Sequence, residues 1–311
     1  MAHSHSHGTP TSGKRMVWSI GLTLTFVIGE VVAGYLSHSL ALLSDAGHNF
    51  ADALALILSA YAIWIAKKQP NARKTYGYHR VGILAALVNA VSLVVIAIFI
   101  GIEAIGRLAH PVTVHAGPMI WVALAAIGVN VLIALLVRAG SKDDINMRSA
   151  YLHMVGDAVA AFGVVIAGIV VAITGQSIAD PIVSVLIAAM ILWSSWGILR
   201  ESVDILLEAT PAGIDLKKVE QTIRKVAGVL GVHDLHVWTV GPGAIACSCH
   251  ILVAEQTVRE GEQVLQAVIE ELEHHHHINH TTVQVEVEGC ASNEIYCTIK
   301  PLQEEHAGHH H

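Results

Sequence analysis

Six long apolar runs constrain this chain more than any other feature. They cover residues 16–36, 40–66, 81–108, 117–137, 149–174 and 178–199. A bilayer-crossing helix needs about 20 apolar residues, and all six runs have that length. The fourth holds no ionisable residue. The first is too long in its apolar core for a cleaved signal peptide, and no small-residue cleavage site follows it. Short links make neighbouring helices antiparallel. Only 14% of the residues are charged, against about 25% in soluble domains. The expectation is an α-helical integral membrane protein with six transmembrane helices.

Basic residues set the orientation. Lys14, Arg15, Lys67, Lys68, Arg73, Lys74, Arg80, Arg138, Lys142 and Arg148 fall on one side of the membrane, and only Arg107 on the other. Both termini are therefore expected in the cytoplasm. There Cys247, Cys249, Cys290 and Cys297 stay as thiols. The formal charge of −7 is concentrated in the tail. No basic patch or DNA-binding motif points to nucleic acid. No HExxH, phosphate-binding Gly-rich loop or GxSxG is present, so the chain reads as a non-enzyme.

Hydropathy falls after Leu207, and Ala209-Thr210-Pro211-Ala212-Gly213 reads as a linker. Residues 215–227 and 258–272 repeat apolar positions at helical spacing. Residues 232–240 and 246–253 read as strands around Gly241-Pro242-Gly243. Val283, Val285 and Val287 alternate with Gln284, Glu286 and Glu288, which predicts a half-buried strand with acid on its open face. The expected division is a His-containing cytoplasmic tail at 1–15 and a transport domain at 16–208. A small cytoplasmic α+β domain follows at 209–300, then a His-rich tail at 301–311. About ninety residues suffice for a small core, which dimerisation would help.

Ionisable groups at bilayer depth cost several kcal/mol and are functional by default. The second run holds His48 and Asp52, and the fifth His153 and Asp157. Residues four apart share a helix face, so two facing helices would present two imidazoles and two carboxylates. That set suits a tetrahedral divalent ion such as Zn²⁺, with the carboxylates neutralising its charge. Absence of thiolate from the runs argues against Cu(I). Mg²⁺ and Ca²⁺ prefer more oxygens, whereas Cd²⁺, Co²⁺ and Ni²⁺ use similar ligands. Metal binding needs neutral His and ionised Asp, so protons compete for the same atoms and exchange of metal for H⁺ follows. Glu30 is either a further polar group on the ion path or an interhelical hydrogen-bond partner. Asp45, one turn before His48, is either an access residue or a partner behind the site, or a group near the helix entrance. Glu103 and Arg107 are spaced to pair with each other. Asp180-Pro181 reads as a helix cap followed by Pro at the first helical position.

These residues resemble the cation diffusion facilitator family, in its zinc-transporting branch. The resemblance spans residues 15–290. It rests on His-x-x-x-Asp in the second and fifth runs, within Ser44-Asp45-Ala46-Gly47-His48-Asn49-Phe50-Ala51-Asp52. It rests also on Tyr76-Gly77-Tyr78-His79-Arg80, on Asp180-Pro181 and on Val232-His233-Asp234-Leu235-His236-Val237-Trp238. The resemblance implies a homodimer that exchanges cytoplasmic Zn²⁺ for H⁺ through His48, Asp52, His153 and Asp157. It also implies a ferredoxin- or metallochaperone-like tail that binds regulatory Zn²⁺. The matching tail positions are His233, His250 and Glu286, with His236 as runner-up and Cys290 and Cys297 as completing ligands. Some members bind metal in the link between the second and third spans. Here residues 67–78 lack His and Asp and are basic, which leaves His79 as a contributor at the membrane–tail junction. Arg80 and Glu208 match a charge interlock that steadies the dimer in some members. His-rich clusters at His3, His5 and His7, at 274–277 with His280, and at 309–311 suit metal capture. The terminal clusters also suit purification tags.

The expectation is thus an exporter of Zn²⁺ in a bacterial inner membrane. The rivals are a membrane-anchored metal sensor or buffer without transport, and an ion channel.

Overall fold

The computed structural model describes residues 11–138 and 145–288. It divides into two compact units, one of residues through Lys68 with Leu84–Ser202, the other of Gln69–Ile83 with the chain from Val203 onward.

The long helices are α1 (Thr11–Ser37), α2 (Leu40–Ala66), α3 (Val81–Ala109), α4 (Ala116–Arg138), α5 (Ile145–Thr174) and α6 (Ala179–Leu206). The last five are long and apolar enough to cross a membrane. In α1 the described apolar stretch, Thr23–Ser37, is shorter. Large apolar side chains such as Phe99, Trp121, Ile173 and Trp193 stand exposed along these helices. Water would penalise such surfaces, whereas hydrocarbon accepts them. The chain is a membrane protein. The core between helices uses small residues, among them Ala90, Ala97 and Ala104 of α3 and Ala160, Ala161 and Ala167 of α5. A Cβ on Gly34 would lie 2.9 Å from Leu43, and one on Gly168 would lie 2.6 Å from Ile120. These glycines let α1 approach α2 and α5 approach α4, as small residues do in membrane bundles. Helices α1, α2, α5 and α4 close a ring of contacts, α1 on α2, α2 on α5, α5 on α4 and α4 on α1.

The second unit contains α7 (Leu216–Arg224), β1 (Val229–Gly241), β2 (Ala244–Val253), α8 (Val258–His276) and β3 (His280–Glu286). Its sheet order is β1-β2-β3, with β1 antiparallel and β3 parallel to β2. The parallel pairing needs a crossover, and α8 supplies it. Asp215 caps α7, and Thr257 with Glu260 forms a capping box on α8. Val219, Ile223, Leu235, Ile251, Val268 and Leu272 fill the core with Cys247 and Cys249. Those cysteines are buried free thiols. The neighbouring Cys249 thiol, and then burial, push the Cys247 thiol above its ordinary range, so it stays neutral.

The link after α2 folds with this unit. Tyr76 meets His280 edge-on, with ring centroids 5.6 Å apart. Gly241 leaves room for His79, since a Cβ there would lie 2.5 Å from the His79 Cβ. Arg80 reaches Glu208 at 3.0 Å, an exposed pair worth less than about 1 kcal/mol.

Candidate metal centres

The spacing of His48 and Asp52 puts both on one face of α2, and that of His153 and Asp157 does the same on α5. The structure brings the two faces together. His48 Nε2 lies 3.2 Å from Asp157 Oδ1, and His153 Nε2 lies 3.1 Å from Asp52 Oδ2. The crossed pairing follows from antiparallel helices: the first residue of one motif stands level with the last residue of the other. Within each helix the His–Asp separations are 3.6 and 3.7 Å. One ligand atom from each residue falls in a group with all members within 4.8 Å of one another. A tetrahedral Zn²⁺ with bonds of about 2.0–2.1 Å needs ligand atoms about 3.3 Å apart, so the four are close to ion-holding positions. Exposure is uneven. The His48 and Asp157 side chains are 8% and 5% exposed, while Asp52 and His153 are 28% and 44% exposed.

What holds α2 in place is partly a residue of α6. The Asp180 carboxylate accepts from Ser39 Oγ (2.6 Å) and from the backbone N–H of Leu40 (2.8 Å) and Ala41 (3.2 Å). Ser39 Oγ in turn accepts from the Leu42 N–H (3.1 Å). The expected self-cap at Asp180-Pro181 is therefore corrected. Asp180 lies inside the first turn of α6 and caps α2 instead, because α2's free N–H groups and positive dipole end face it.

Asn49 Nδ2 donates to Glu30 Oε2 (3.0 Å), so Glu30 is an interhelical hydrogen-bond partner. Asp45 is buried in the second turn of α2. Arg107 pairs with Glu103 (2.9 Å) as its spacing predicts, and also donates to the His38 carbonyl.

The tail holds a second group: His233 of β1, His250 of β2 and Glu286 of β3. His233 stands opposite His250 in the β1–β2 register, and their ring centroids are 5.1 Å apart. Glu286 Oε1 lies 3.0 Å from His250 Nδ1, and Oε2 lies 3.1 Å from His233 Nε2. That His233 nitrogen is buried without an aligned hydrogen bond, as expected of atoms that converge on an ion rather than on each other. The open placement of Glu286 is corrected: its side chain is 17% exposed, although Gln284 and Glu288 on its face of the strand are exposed. The two imidazoles cover the acid.

A bulge makes this face. Asp234 has φ of 51°, and the register shifts between His233 and His236. The extra residue returns Leu235 and Val237 to the core while His233 stays on the other face. Asp234 also contacts His236 at 3.1 Å and His250 at 3.6 Å. His236 is thus paired with Asp234 and stands outside the three-residue group. Alternation alone misses Asp234; its place in His-Asp-Leu-His is the only hint. His79 joins neither of the two groups found among the described residues. Cys290 and Cys297 lie outside the described residues, as do the terminal His clusters. The 274–277 cluster ends α8, where His276 Nε2 meets Thr222 Oγ1 at 2.8 Å. Burial, and then the neighbouring His275 and His277, lower the pKa of His276, which favours its neutral imidazole.

Residues 16–207 match the cation efflux transmembrane domain, and residues 211–288 match the cation efflux protein cytoplasmic domain. The chain belongs to the cation efflux family, the cation diffusion facilitators. Similar proteins agree along the full length. The cadmium, cobalt and zinc/H⁺-K⁺ antiporter of Bacillus subtilis (strain 168) is 36% identical over 315 residues, covering 100% of both chains. Zinc transporter ZitB of Escherichia coli (strain K12) is 36% identical over 318 residues, again covering 100% of both. Cation efflux system protein CzcD of Alcaligenes sp. (strain CT14) is 35% identical over 291 residues, covering 93% of this chain and 92% of that one. In this cation efflux protein both clusters fall within the matched regions.

Proposed function

We propose that this cation efflux protein is a secondary carrier that exports Zn²⁺ from the cytoplasm in exchange for H⁺. His48, Asp52, His153 and Asp157 are its transport site. The observation that carries this reading is their convergence within 4.8 Å at bilayer depth, where a bare carboxylate pair would be costly. The names of the Bacillus and Escherichia relatives support both the ion and the exchange. In this reading six helices cross a bacterial inner membrane and both termini are cytoplasmic. The transport domain is residues 16–208. The tail, 209–300, dimerises and binds regulatory Zn²⁺ at His233, His250 and Glu286.

Exchange follows from the ligands. Zn²⁺ binds neutral imidazole and ionised carboxylate, so loading from the cytoplasm releases protons and reprotonation on the far side releases the metal. Asp52 and His153 are the cytoplasmic half of the site in this orientation. Their greater exposure, 28% and 44%, supports access from that side in this reading.

The test is Zn²⁺ flux in sealed proteoliposomes with and without an imposed pH gradient. The expected result is flux that follows the gradient. A folded, metal-binding chain without flux supports a sensor or buffer, and flux indifferent to the gradient supports a channel.

A further inference from the structure

Glu30 and Asp45 are carboxylates buried at bilayer depth, 0% and 1% exposed. Asp45 lies on α2 one turn from His48, toward the α1–α2 connection. Glu30 reaches α2 through Asn49, and Asp45 stands four residues before Asn49 on the same face of that helix. Asn49 donates to Glu30 and thereby keeps its own carbonyl oxygen for another partner. Three buried polar atoms of this region have no hydrogen-bond partner among the described residues: Glu30 Oε1, Asp45 Oδ2 and His48 Nδ1. His48, itself 7% exposed, is within electrostatic reach of Asp45. Buried carboxyl oxygens without a donor are costly unless a further partner meets them.

We propose that Glu30 and Asp45, with the Asn49 carbonyl, form a second cation site that receives the divalent metal as it leaves the His48–Asp52–His153–Asp157 site. The inference rests on the transport reading above, and it places the second site on the release side. Its ligands are all oxygen. Such ligands hold Zn²⁺ less tightly than imidazoles do, and they suit a station that must let go. The shared helix α2 connects the two sites, since positions 45, 48, 49 and 52 fall on one face.

Mn²⁺ is the probe, because it favours oxygen and binds His clusters weakly. Mn²⁺ binding is followed by electron paramagnetic resonance on the full chain carrying Asp157→Ala and His233→Ala. The expected result is a saturable Mn²⁺ site that Glu30→Gln or Asp45→Asn weakens by about tenfold or more. Equal Mn²⁺ affinity with and without Glu30→Gln, in protein that elutes as folded, overturns the proposal. In the otherwise native chain, Glu30→Gln should lower the maximal Zn²⁺ flux while leaving KM for cytoplasmic Zn²⁺ nearly unchanged. A raised KM at unchanged maximal flux overturns it too. The two readings fail separately. Asp157→Ala with normal flux removes the transport site. Asp157→Ala without flux, beside Glu30→Gln with normal flux, removes only the second site.

Discussion

At the scale of residues, the uneven exposure of the four side chains proposed as the transport site has a chemical consequence. The His153 side chain is 44% exposed and that of His48 only 8%. A thiol placed at His153→Cys should react with a water-soluble thiol reagent faster than one at His48→Cys, and equal rates would contradict the asymmetry. In the tail, Asp234 touches both His236 and His250. Partners behind metal ligands typically change affinity by about 10–100-fold. Asp234→Asn should therefore weaken tail Zn²⁺ binding by about tenfold, read by calorimetry on the full chain. Asn tolerates the left-handed backbone there, so the bulge survives the substitution. His236→Ala should leave that affinity nearly unchanged. The sequence displays His48, Asp52, His153 and Asp157 openly, because a charge in an apolar run is costly and persists only where it serves a site. Asp234 is hidden by the bulge, since strict alternation assigns it to the wrong face. Glu286 is misjudged for a related reason: polarity alone cannot reveal imidazoles from two other strands lying over it.

At the scale of elements, the helices follow hydropathy closely until polar contacts take over. Hydropathy ends the last long run at 199, yet α6 continues to Leu206, because Arg200, Glu201 and Asp204 are sound helix formers or tolerated polar residues outside an apolar setting. The Asp180 tie between α6 and α2 is a contact across 140 residues, which no local pattern encodes. Hydrogen bonds to a buried charge contribute about 1.5–3 kcal/mol each, less for the longest of the three. Asp180→Ala should therefore lower stability by about 3 kcal/mol in thermal unfolding of the detergent-solubilised chain. Asp180→Asn should recover part of that loss. Transport should fall with Asp180→Ala, because α2 carries His48 and Asp52. Wild-type stability in Asp180→Ala would show that the cap contributes little.

At the scale of the whole molecule, a membrane unit and a tail unit each contain a group of side chains placed to hold a metal ion, and the proposed roles differ. Tail Zn²⁺ that binds only the folded state adds about 2.7 kcal/mol of stability at 100 times its Kd. Chelation should lower the tail's unfolding temperature in the full chain. His233→Ala with His250→Ala should abolish that effect while leaving proton-coupled flux in place. An unchanged response to chelator would remove the tail site. Replacing residues 274–277 with Ser should slow flux at low Zn²⁺ and leave it unaltered at saturation. The measurement closest to the central claim compares proton-driven Zn²⁺ flux in native and Asp157→Ala proteoliposomes of equal protein content. Loss of flux in Asp157→Ala, with the same elution profile and thermal unfolding as the native chain, is the predicted result. Native flux in Asp157→Ala would contradict the account, because the deepest carboxylate of the four-ligand site would then be dispensable.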